Sequence, residues 1–107
     1  MKNLSDRQKA FEQKYANDEE IRFKVTAKRN KLVGEWAAGL LGLAGDEKDN
    51  YAISVIESDL KEPGDNDVIE KVKADFDKES IEITESEIKA KLDSFFAQAK
   101  EDFIRDL

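Results

Sequence analysis

The stretch that decides the fold runs from Ile21 to Leu43 and reads IRFKVTAKRNKLVGEWAAGLLGL. Within it Val25, Leu32, Trp36 and Leu40 recur at helical spacing, and Ile21 and Val33 flank the stripe. Arg22, Lys24, Lys28, Arg29 and Lys31 fall mostly around the other side. Apolar residues at i, i+3 or i+4, and i+7 mark a helix with one face turned to a core. The spacing predicts the central helix of a small bundle, from about Asp18 to Leu43, closed by Gly45. Gly34, Gly39 and Gly42 lie inside it or near its end, and each costs about 1 kcal/mol against alanine. Close approach of a neighbouring helix, or a bend after Trp36, accounts for them.

Beyond this helix, Asp46 is a natural cap for a second one, from about Glu47 to Lys61, with Tyr51, Ala52, Val55, Ile56 and Leu60 as its apolar set. Pro63-Gly64 ends it, because a residue before proline is pushed out of helical geometry. A third helix, from about Asp67 to Lys78, follows the capping cluster Asp65-Asn66-Asp67 and carries Val68, Ile69, Val72 and Phe76. The segment Glu79 to Ile83 alternates apolar and polar residues but has no second strand to pair with. It reads as an extended link with Ile81 and Ile83 tucked in. The last helix has the clearest start: Thr84 and Glu87 form a capping box, and Ile83 with Ile88 a hydrophobic staple. Ile88, Leu92, Phe95, Phe96, Ala99 and Phe103 then run down one face. The fold class is all-α, with residues 18–107 forming a four-helix bundle and a single domain.

In front of the bundle lies an arm, residues 1–17. Ser5 with Gln8 predicts a capped helix from Asp6 to Ala16, and Asn17 with Glu20 caps the central helix. Leu4, Phe11 and Tyr15 share one face of the arm; Arg7, Lys9, Glu12, Gln13 and Lys14 hold the other. Three large apolar groups anchor such a helix weakly, and short isolated helices are marginal in water. The arm is therefore expected to be mobile and partly frayed.

The 107 residues carry a net charge of −7, unevenly spread. Residues 1–31 hold nine Lys/Arg against five Asp/Glu, so +4; residues 32–107 hold nine against twenty, so −11. An acidic body argues against nucleic acid; the basic first third either meets an acidic partner surface or is one of two solvated faces of opposite sign that attract each other. With no cysteine and no histidine, disulfides, thiolate metal sites, the usual neutral-pH general base and nucleophilic triads are excluded. Gly34 to Gly39 has the glycine spacing of a phosphate loop, but Leu40 and Leu41 replace its lysine and hydroxyl. Asp46 to Glu57 resembles a calcium loop, but Lys48 takes a ligand position and Tyr51 the glycine position. No catalytic residue, cofactor or metal is expected. The N-terminus lacks the apolar run of a signal peptide, and Trp36 to Gly45 is half a membrane span, so a cytosolic protein without direct membrane insertion is expected.

On the residues alone two functions stand. The arm is an inhibitory or docking helix that folds into a partner's groove with Phe11 and Tyr15 as anchors. Or it packs along its own bundle, and the protein is a module that binds a small ligand, a nucleotide weakly included, or another protein.

The arm reads Asp6-Arg7-x-x-Ala10-Phe11-Glu12-x-Lys14-Tyr15-Ala16, and the central helix Ala27-Lys28-Arg29-Asn30-Lys31-Leu32-Val33-Gly34-Glu35-Trp36-Ala37-Ala38. With Gly45-Asp46-Glu47 and Gly64-Asp65-Asn66-Asp67-Val68, these runs resemble the zeta subunit of alpha-proteobacterial F1F0-ATP synthases, an inhibitor of F1-ATPase. The resemblance implies a four-helix bundle with a mobile inhibitory N-terminus. That segment would enter a catalytic α/β interface of F1, reach the γ subunit and block rotation. It also implies a cytoplasmic protein peripherally associated with the membrane-bound synthase. Carried over by position, the inhibitory residues are Asp6, Arg7, Ala10, Phe11, Glu12, Lys14 and Tyr15. Lys28 stands where the family more often has arginine, and Glu35 where it more often has an apolar residue.

Overall fold

The computed structural model describes residues 4–61 and 65–106, and among them every regular element is helical. The order is α1 (Leu4–Asn17), α2 (Glu19–Leu40), α3 (Asp46–Lys61), α4 (Asn66–Lys78) and α5 (Glu85–Arg105). The break expected at Pro63-Gly64 lies outside the described residues.

Helix α2 is the centre of the molecule, packing most extensively on α3 and then on α5. Gly34 explains the closeness of the first contact. A Cβ built there would lie 2.6 Å from Ala52 Cα, so only glycine lets the two backbones approach. Gly39 has open space around it and serves no such contact. The buried face of α2 is rotated from the expected one: Val25, Val33, Gly34, Ala37 and Ala38 are buried together with Arg29 and Asn30. Leu32 and Trp36 are half-buried, and Leu40 is exposed. The reason is that α2 is flanked on two sides, so its small residues fit between neighbours while the large ones border them.

The helix ends earlier than expected, at Gly42 and not at Gly45. Gly42 adopts φ +78°. Its N–H donates to Gly39 O, and Leu43 N–H donates to Ala38 O at 2.9 Å, a Schellman closure. The start also shifts by one residue. Asp18 is the N-cap, its carboxylate accepting from the N–H groups of Glu20 and Ile21. Asn17 instead closes α1, its Nδ2 donating to Gln13 O.

Four helices feed the larger apolar cluster: Val33 and Ala37 from α2, Val55 from α3, Val68, Val72 and Phe76 from α4, and Ile88 and Leu92 from α5. Trp36 meets Phe76 edge to face with centroids 5.6 Å apart. Ile81 and Ile83, in the link before α5, pack on this cluster as expected. Helix α4 closes with a second Schellman turn, in which Ser80 takes φ +58° and Ile81 N–H donates to Phe76 O. The capping box of α5 is present: Glu87 N–H donates to Thr84 Oγ1 at 3.1 Å, and Glu87 reaches back to Thr84 N–H. On α3 the expected apolar set is only partly inside, with Ala52 and Val55 buried and Leu60 61% exposed.

Candidate functional site

The arm is one helix, α1, and it lies against the bundle. Phe11 is 2% exposed. It joins Val25 of α2 and Ala99 and Ile104 of α5 in a second, smaller cluster, bordered by Tyr15, Ile21, Phe96 and Phe103. The expectation of a weakly anchored arm thus meets a docked helix, and the anchors that make up the difference are two cations. Lys100 of α5 ion-pairs with Glu12 at 3.5 Å. The same ammonium sits 4.7 Å from the Tyr15 ring centroid and 4.9 Å from that of Phe96. Arg22 of α2 donates to the carbonyls of Tyr15 and Ala16, satisfying acceptors that the end of α1 would leave open. The helix already runs from Leu4, so a cap at Ser5 does not start it; the Leu4 and Ser5 side chains lie outside the described ones.

The candidate residues divide by their place on α1. Phe11, Glu12 and Tyr15 converge on α5. Tyr15 stands 6.1 Å from the Phe11 ring and 6.0 Å, edge-on, from that of Phe96. Burial holds the Tyr15 hydroxyl above its ordinary pKa of 10, against the opposing pull of Arg22 and Arg29 and with the help of Glu12. Arg7 and Lys14 are exposed, Ala10 between them is half-buried, and Asp6 lies in the first turn.

Next to this cluster, along α2, sits a buried charge. Arg29 is 5% exposed and Asn30 1%. The guanidinium donates to Asn30 Oδ1 and to Asp65 Oδ1 at 2.9 Å, and Asp59 lies 4.0 Å away. Its carbon is 5.9 Å from the Phe96 ring centroid. Asp65 was expected to cap α4; its side chain makes no capping bond and is occupied by Arg29. A buried guanidinium needs such partners, because an unpaired one carries a large desolvation cost.

Lys100, Arg22 and the Arg29 layer are the parts that sequence reasoning missed. Phe96, Lys100 and Phe103 at i, i+4 and i+7 were the available signal. They continue the α5 stripe past the main core and so call for one more partner.

Among the described residues no group of three or more His, Cys, Asp or Glu could hold a metal ion. No buried side-chain nitrogen or oxygen among them lacks a partner. Among the described residues no helix is long and apolar enough to cross a membrane.

Residues 1–102 match the profile of a family described as ATPase inhibitor subunit zeta. A protein solved in solution by NMR shares 40% sequence identity, with a TM-score of 0.71 over 81% of this chain and 99% of its own. A search of curated proteins returned no relative.

Proposed function

Because the chain belongs to the ATPase inhibitor subunit zeta family, we propose that it inhibits ATP hydrolysis by F1-ATPase and that α1 is the inhibitory element. The family match carries this reading. In it, α1 leaves its own bundle and enters a catalytic interface between the α and β subunits of F1. There Phe11 and Tyr15 are buried again, and the arm reaches the γ subunit and obstructs rotation. Asp6, Arg7, Ala10, Glu12 and Lys14 line the rest of the contact. The protein acts as a regulatory subunit and not as an enzyme, held peripherally on the membrane-bound synthase.

The site supports such a transfer in two ways. Three of the residues assigned to the partner, Phe11, Glu12 and Tyr15, are the ones that hold the arm at home, so the same aromatic face can serve either surface. The larger cluster contains no residue of α1, so the arm can depart without opening it. The exchange also sets its own energetics. Burial of one large apolar side chain is worth about 1.5–3 kcal/mol. That amount is lost on undocking and recovered in the partner, so net affinity rests on the difference between the two sites. A partner-folded helix obeys the same arithmetic.

Phe11 at 2% exposure favours a second reading, in which α1 is a permanent part of a module that binds a ligand or another protein. ATP hydrolysis by F1 from the same organism separates the two, measured with the wild-type chain and with a Phe11→Ala/Tyr15→Ala variant. Inhibition by the wild type that is lost in the variant, with the variant still helical, supports the arm as the inhibitor. Equal inhibition by both would assign the activity to the bundle. No inhibition by either would favour the second reading.

A further inference from the structure

Docking hides the aromatic face of α1 but leaves another face open. Arg7 and Lys14 are seven residues apart, two turns of helix, so they stand on one stripe about 10 Å long. Ala10 lies between them, and Lys9 lies around the back of the helix. Arg7, Lys9 and Lys14 are exposed. Among the described residues they make no ion pair, hydrogen bond or ring contact. This sets them apart from the body. From Arg22 onward each described Arg and Lys side chain has an acidic or ring partner, apart from Lys31 and Lys48. The body has carboxylates to spare: residues 18–107 hold fourteen Lys/Arg against twenty-three Asp/Glu, whereas residues 1–17 hold four against two. Glu12, on the opposite flank of α1, is the arm residue given to the bundle through Lys100.

We propose that the Arg7–Lys14 stripe is a recognition surface for an acidic protein surface, used while Phe11 and Tyr15 are still docked at home. The inference rests on the reading of α1 as the inhibitory element and adds the order of events to it. Carboxylates on the partner capture the docked arm first, and the aromatic face is transferred afterwards. The acidic body selects the class of partner. A nucleic acid or an anionic bilayer presents negative charge over tens of ångströms and would repel the body as it met the arm. A compact carboxylate patch, within a Debye length of about 8 Å at physiological salt, feels the stripe and little else. Charges at the edge of an interface act chiefly on the association rate, and truncating a buried anchor acts chiefly on dissociation.

The test measures association and dissociation rates of the full chain with purified F1-ATPase across a range of salt concentrations. Wild type, Arg7→Gln/Lys14→Gln and a Lys31→Gln/Lys48→Gln control are compared. The stripe variant is expected to associate about tenfold more slowly at low salt, with a flatter salt dependence and a dissociation rate within about twofold of wild type. The control is expected to match wild type. If wild type binds and the stripe variant associates equally fast, the stripe is not a recognition surface, and the proposal falls while the inhibitory reading stands. The same holds if the control slows as much as the stripe variant, since charge anywhere would then suffice. If wild type does not bind F1 at all, the inhibitory reading falls and takes this proposal with it.

Discussion

Around Phe76 the core draws side chains from four helices, whereas around Phe11 it draws them from three, and α1 supplies one fully buried residue to it. Both aromatic rings are almost sealed from water, at 0% and 2% exposure, so burial alone does not distinguish them. What differs is the surroundings. Phe76 sits among β-branched and leucine side chains whose helices are tied to one another by short links. Phe11 sits on a helix joined to the rest by Asp18 and touched also by Lys100 and Arg22. Between the two clusters lies the hydrogen-bonded layer of Arg29, Asn30 and Asp65. Two sealed sites can therefore belong to parts of a protein that open at different free energies.

Phe76→Ala should have the largest effect. Deleting a buried phenylalanine from a packed core costs about 3–5 kcal/mol. Thermal melting followed by circular dichroism should show the whole chain melting at a much lower temperature. An unchanged melt would mean that the larger cluster is not what holds the bundle. Phe11→Ala should cost less, at most the ~1.5–3 kcal/mol that burying one such side chain contributes. Its signature is regional. In hydrogen exchange the amides of α1 should lose protection while those of α4 keep theirs. Equal loss in both helices would merge the two clusters into one cooperative unit.

The smallest effect uses the two tyrosines, one beside each cluster. Tyr51 borders the larger cluster and donates to Asp75 Oδ2 at 2.9 Å; burial and that hydrogen bond to a carboxylate raise its pKa strongly. Tyr15 is raised as well, chiefly by burial. In the unfolded chain both lose their protons near pH 10. The folded state holds the protons longer, so each tyrosine's contribution is complete below about pH 10 and is lost as the pH rises from there through its folded pKa. Tyr51→Phe should reduce the alkaline loss of global stability, measured by denaturant unfolding above pH 10. Tyr15→Phe should leave that loss almost unchanged and reduce the alkaline release of α1. Interchanged effects would reverse the assignment of the tyrosines to the two clusters.

Much of this molecule was legible in its sequence because the relevant signals are local. Thr84 and Glu87 lie three residues apart, and their capping box formed as read. Gly34 left a close approach or a bend after Trp36 open, and Ala52 supplies the surface approached. The alternation through Ile81 and Ile83 was read as a tucked link, and it is one. The failures involve partners far apart in the chain. Arg29 was placed on the solvent side of α2 because a guanidinium looks polar from sequence. Asp65, 36 residues away, is what allows it inside. Asp65 in turn was read as a cap, its commonest local role. The shift of the α2 face from Leu32, Trp36 and Leu40 to Val33, Ala37 and Ala38 follows from contact with both α3 and α5, which one helical period cannot encode. At the candidate site the apolar stripe of α1 reads as thin, yet the helix is docked with Phe11 buried. The Lys100 contact that supplements it depends on an ammonium over two rings, an attraction that a hydropathy pattern does not register.

Asp18 is the single residue between α1 and α2, held extended at φ −128° and ψ 108°. It makes the arm a rigid lever with one pivot. A helix of 14 residues is about 21 Å long, so a turn of some 30° at Asp18 carries the far tip roughly 10 Å. If Asp18 itself turned helical, residues 4–40 would fuse into a continuous rod about 55 Å long. The reach of the free end is thus set by two backbone angles at a residue that, in the docked protein, is occupied with capping the helix behind it.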